Sequence, residues 1–140
     1  MLVTPAPLNS VLWRIVAMGT DGRHHEGFHS LFDKPGPIAF DAFPSGQPLR
    51  EVLASDASVQ RIAAFSHGFY KLGERDGELR VTDLRMGQEP AYTFAFAVAR
   101  REGAAIVAEA PRLVGDRGDL RRGLQWLWRR LRGEALAPPR

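Results

Sequence analysis

The stretch from Phe65 to Phe96 constrains the fold more than any other part of the chain. It runs through Phe65-Ser66-His67-Gly68-Phe69-Tyr70, an Asp76-Gly77 pair, Val81-Thr82-Asp83-Leu84-Arg85-Met86-Gly87, and then Tyr92 to Phe96. Asp-Gly supplies the positive φ angles of a tight reversal, so the stretch reads as a β-hairpin followed by a third strand. Its aromatic side chains are the largest concentration of prospective core material. Leu79 and Val81 alternate with Arg80 and Thr82, which sets the first pair inward. Strict alternation carries Asp83 and Arg85 onto that same face, as a buried salt bridge or at a rim.

The flanking segments follow from the same periodicities. Residues 1–9, with Pro5 and Pro7, read as an extended lead-in. Ser10 to Met18 is apolar on both alternating sets apart from Arg14, the pattern of a central strand. After a turn at Thr20-Asp21-Gly22, His24 to Asp33 reads as the returning strand. Pro35-Gly36-Pro37 ends it, and Ile38 to Phe43 is a short extended piece. Leu49, Val52 and Leu53, then Val59, Ile62, Ala63 and Phe65, fall at spacings of three and four. They predict two short amphipathic helices, the second capped by Asp56 or Ser58.

On the strand Tyr92-Phe94-Phe96-Val98, the opposite face is Ala91, Thr93, Ala95, Ala97 and Ala99, small enough for another element to approach closely. Leu120, Leu124, Leu127 and Leu131 form one stripe of a helix from about Asp119 to Arg132. Trp128 borders that stripe, whereas Trp126 falls among the arginines. The stripe is expected to pack on the alanine face. Residues 134–140, containing two prolines, are expected to be a flexible tail. The domain proper is thus 10–133, and its predicted class is α+β. A mostly antiparallel sheet of about six or seven strands carries two inserted helices, with the basic C-terminal helix packed on one face.

Composition removes several classes. The 140 residues fit one domain. No cysteine is present, so a disulfide framework and thiolate metal sites are excluded. No apolar run reaches the roughly 20 residues that span a bilayer, and the N-terminus lacks the pattern of a signal peptide. The net charge is only +3, with arginines gathered near the C-terminal end.

Three blocks, Asn9-Ser10-Val11-Leu12-Trp13-Arg14, Phe65 to Tyr70 and Val81 to Gly87, resemble the C-terminal soluble region of YdjM-like membrane-bound metal-dependent hydrolases. The resemblance spans roughly Pro7 to Arg132. It implies a bacterial domain on the cytoplasmic side of the inner membrane, following transmembrane helices that carry the presumed metal ligands of that family. Those ligands have no counterpart here, so the resemblance carries over no catalytic residue. It implies a non-catalytic accessory, partner-binding or regulatory module. Its expected partners are the transmembrane hydrolase part or an anionic membrane surface.

Three constellations carry possible chemistry. His25-Glu26-Gly27-Phe28-His29 matches H-E-x-x-H, which binds zinc when a helix stacks both imidazoles on one face. Gly27 and the bracketing turns argue for a strand instead, where residues four apart lie roughly 13 Å from each other. No metal is therefore expected, the alternative being a small zinc-dependent hydrolase through His25, Glu26 and His29. The second constellation is Arg14, Asp83 and Arg85, with His67 and Tyr70 as further members. It reads as a small anionic-ligand site, or more plainly as a structural ion pair closing a sheet. The third is the arginine face of the last helix, Arg122, Trp126, Arg129 and Arg130, suited to anionic headgroups. No recognised nucleic-acid motif accompanies it, and no nucleic-acid partner is expected.

Overall fold

Two four-stranded antiparallel sheets and a two-stranded ribbon carry the strands, which establishes an α+β fold. The computed structural model describes residues 1–7, 9–116 and 118–140; Leu8, within the expected lead-in, and Arg117 lie outside the described residues. The first sheet is ordered β1 (Leu2–Pro5), β2 (Leu12–Met18), β3 (Arg23–Ser30), β4 (Phe40–Pro44). Two short helices follow, α1 (Gln47–Val52) and α2 (Ala57–Phe65). The second sheet is built from β5 (Tyr70–Arg75), β6 (Glu78–Asp83), β9 (Ala95–Glu102) and β10 (Ala105–Leu113), in the order β10-β9-β6-β5. The strands β7 (Gly87–Gln88) and β8 (Ala91–Tyr92) form the ribbon, and α3 (Leu120–Leu131) comes last.

Local chemistry accounts for most of these boundaries. Asp56 caps α2, its Oδ1 accepting from the amides of Ser58 at 2.9 Å and Val59 at 3.0 Å. Asp76 and Gly77 both have positive φ in the turn between β5 and β6, as the Asp-Gly signal requires. The expected lead-in instead contributes an edge strand, because Leu2 to Pro5 pairs in register with Val16 to Trp13.

The two sheets meet at Ser45, whose amide donates to Gly22 O and whose carbonyl accepts from Leu72 N. Gly46 follows at φ 75°, and a Cβ there would lie 2.2 Å from Leu72 O, so only glycine fits this corner. Against one face of the second sheet, Leu53 and Val59 of the helical segment cover Leu72, Leu79, Val81, Val98 and Ala99. Each such buried leucine or valine contributes on the order of 1.5–3 kcal/mol. Ala99 joins this face because a register shift after Leu79 breaks strict alternation along β9.

The aromatic stretch contributes less to the core than its composition implies. Phe65 and Phe94 are exposed, Phe69, Tyr70 and Phe96 are half-buried, and Tyr92 is enclosed. Aliphatic side chains fill the second sheet's core, because the hairpin's inward positions are Leu72, Leu79 and Val81.

The helix α3 does not lie on the alanine face of β9. It packs on the first sheet beside β2, in a cluster of Ala6, Leu12 and Trp126 with Phe28, Leu127 and Leu131 around it. The segment 134–140 folds back over it instead of hanging free. Leu136 joins that cluster, and its carbonyl accepts from Trp126 Nε1 at 3.1 Å. Among the described residues no helix is long and apolar enough to cross a membrane.

Candidate functional site

The polar side chains with the strongest mutual constraints lie between the first sheet and the ribbon. Alternation along β3 puts His24, Glu26, Phe28 and Ser30 on one face. Arg14, from the neighbouring β2, donates from Nε to Glu26 Oε1 at 2.6 Å. Its two terminal nitrogens donate to Leu84 O at 2.7 Å and Tyr92 Oη at 3.1 Å. Glu26 Oε2 accepts from Arg140 Nη1 at 2.8 Å, and Arg140 also donates to Glu89 O and to Asp41 Oδ2. The Arg140 guanidinium lies over the Phe43 ring, 4.6 Å from its centroid.

Glu89 anchors the other half of the network. Its carboxylate is paired with Lys71, and His24 Nε2 lies 3.1 Å from Oε1, within ionic contact though poorly aligned for a hydrogen bond. Burial opposes the charged form of Glu89, but the contacts with His24 and Lys71 outweigh it and hold the carboxyl down to about 2. Burial is also the main reason the Tyr92 phenol is pushed far above its ordinary value, with the nearby Arg14 opposing it. Both groups are driven away from neutrality. At neutral pH Glu89 is a weak base and Tyr92 a permanent hydrogen-bond partner, so neither is poised for general acid–base work.

The H-E-x-x-H residues sit on a strand, β3, as the flanking turns predict. His25 and His29 point to the face opposite Glu26, beside Asp21 at 4.0 Å and Asp33 at 3.6 Å respectively. The Glu26 carboxylate is committed to two guanidiniums. These residues do not fit a zinc site, and among the described residues no three His, Asp or Glu side chains converge as one would require.

The expected anion cluster divides into separate pieces. Asp83 is buried and binds Arg85 through both oxygens, Nη2 to Oδ2 at 2.7 Å and Nε to Oδ1 at 3.0 Å. That hydrogen-bonded pairing raises the Arg85 pKa above its ordinary value. The Arg85 guanidinium covers the Phe65 ring at 4.5 Å. Tyr70 is the cross-strand partner of Asp83, but its hydroxyl accepts from Arg50 Nη1 at 2.8 Å. His67 is exposed at φ 53° in the turn after α2, and Arg14 is spent on Glu26. Tyr70, Asp83 and Arg85 are thus neighbours, Arg14 reaches them only through the Leu84 carbonyl, and His67 lies in the turn after α2.

On α3 the expected surface also changes. Trp126 is only 8% exposed, edge-on to Phe28 with ring centroids 4.9 Å apart. Arg130 is buried too, held bidentate by Asp33 at 2.6 and 2.8 Å. Those hydrogen bonds lower the Asp33 pKa from its ordinary value. An indole gains more by burial than leucine, provided its N–H finds a partner, and Leu136 O provides one. Arg122 and Arg129 remain on the surface, paired with Asp119 and Glu134.

The segments 9–14, 65–70 and 81–87 meet at Leu84. Its carbonyl accepts from Arg14 of the first block, and its amide donates to Phe69 O of the second. The central residues that the sequence reading assigned to no site are His24, Lys71, Glu89, Tyr92 and Arg140. The shared face of His24 and Glu26 on β3 was a usable signal; the arrival of Glu89 and Arg140 from distant segments left none. Comparison of the chain with protein-family models, curated proteins and solved structures finds no match.

Proposed function

We propose that this domain is a non-catalytic accessory module, partner-binding or regulatory, of the kind that follows the transmembrane part of YdjM-like membrane-bound metal-dependent hydrolases. It would work on the cytoplasmic face of a bacterial inner membrane, against the transmembrane hydrolase part or the anionic membrane surface. The observation that carries this reading is the commitment of Glu26. The one residue able to act as general base in an H-E-x-x-H site is instead the hub of Arg14 and Arg140, on the strand face away from both histidines.

The competing reading is a small zinc-dependent hydrolase through His25, Glu26 and His29. Metal analysis of tag-free protein after incubation with zinc and gel filtration separates the two. The module retains no stoichiometric zinc. One equivalent that disappears in both His25→Ala and His29→Ala favours the hydrolase and overturns the module reading.

A further inference from the structure

The helix α3 has a wider apolar face than the domain covers. Trp126, Leu127 and Leu131 turn towards the first sheet. Leu120, Leu124 and Trp128, spaced four residues apart along one side, are 71%, 48% and 59% exposed. At 100° per residue this strip, with Leu131 within its arc at the C-terminal end, borders Leu127 on one side and Arg121 and Arg132 on the other. Arg121 and Arg132 have no carboxylate partner among the described residues, unlike Arg122, Arg129 and Arg130. The Arg132 guanidinium covers the Trp128 ring at 4.7 Å. The loop after β3 abuts the helix end, since a Cβ on Gly133 would lie 2.6 Å from Phe32 O, and it exposes Leu31 and Phe32.

We propose that the Leu120–Leu124–Trp128 strip, bordered by Arg121 and Arg132, inserts into an anionic lipid surface. This deepens the accessory-module reading, rests on it, and names its partner. Charge decides the occupant. A lipid surface supplies hydrocarbon for the two leucines, an interfacial level for the indole and phosphates for the two free guanidiniums. A second copy of the chain, joined about a two-fold axis, would set the same arginine row against itself. The insertion face excludes Trp126 and Arg130, which are spent inside the fold.

The test is co-sedimentation of the native domain with vesicles of phosphatidylglycerol mixed with phosphatidylcholine, against pure phosphatidylcholine vesicles. Binding is expected only to the anionic vesicles, weakening as salt rises. The Leu124→Ser/Trp128→Ser variant is expected to lose about tenfold or more in affinity. Its melting curve should be unchanged, because both side chains are exposed. In native protein, brominated lipid should quench a tryptophan component that Trp128→Phe removes, a readout independent of how the double variant folds. Equal binding to both vesicle types, unchanged binding of the double variant, or quenching that survives Trp128→Phe overturns the proposal. So does a dimer that dissociates on Trp128→Ser, which assigns the strip to a second copy. Zinc retention, by contrast, bears on the module reading alone, so either can fail without the other.

Discussion

Arg14 and Arg121 carry the same guanidinium and do opposite work. Arg14 lies inside the fold, where three acceptors from β3, Leu84 and Tyr92 use its donors and hold the first sheet to the ribbon. Arg121 lies on the outer side of α3 beside a strip of exposed leucine and tryptophan. The interior network is paired internally: Glu26 is held by Arg14 and Arg140, and Glu89, held by Lys71 and His24, has its carboxyl lowered to about 2. The helix face is unsaturated, with apolar surface and positive charge both open to solvent. Charged residues therefore serve structure in one region and stay open to solvent in the other, which is the face proposed above to meet a lipid surface. Burial separates the two roles, and residue type does not.

The sharpest way to break the comparison is to remove the hub. Glu26→Gln leaves the buried Arg14 without a counter-charge and Arg140 with Asp41 alone, and an expected loss of about 3–5 kcal/mol should appear in denaturant unfolding. Replacing Arg14 and Glu26 together by methionine and leucine should recover much of that loss, because no unpaired charge then remains. An unaffected Glu26→Gln would show that the network does not hold the sheets together.

The two tryptophans of α3 sharpen it further. Trp126→Ala should cost about 3 kcal/mol or more through the cavity beside Phe28. Trp128→Ala should stay within about 0.5 kcal/mol, as for an exposed side chain. Equal costs by thermal melting would contradict the orientation of the helix.

The smallest expected effect concerns pH. The Glu89 carboxyl ionises at about 2 in the fold, against an ordinary 4.5, so its charged form is the one stabilised. Its contribution is fully present above about pH 4.5 and lost as pH falls towards 2. Glu89→Gln should remove roughly 1–3 kcal/mol at neutral pH and flatten the stability–pH curve below about pH 4.5. A variant that keeps the native acid slope would place the titrating group elsewhere.

Much of the fold was legible before any coordinates. The two helices before β5, the Asp76-Gly77 hairpin, the extended state of His24 to Ser30 and the C-terminal helix all follow from period, caps and turns. These are local signals, written within a dozen residues of where they act. The candidate site was legible only in fragments. Asp83 and Arg85 emerged because they lie two apart on one chain segment, whereas Glu89 and Arg140 reach Glu26 across 63 and 114 residues.

The sequence by itself determined the helices and the long strands, though not the edge strand β1 or the β7–β8 ribbon, and that α3 has one apolar and one basic side. The tertiary structure alone decided how far that helix rotates about its axis. Trp126 and Arg130 went inward because Leu136 O and Asp33 were there to satisfy them, which left Leu120, Leu124 and Trp128 outside. Periodicity defines a stripe, but the hydrogen-bond partners that choose which edge of the stripe is buried come from residues far along the chain.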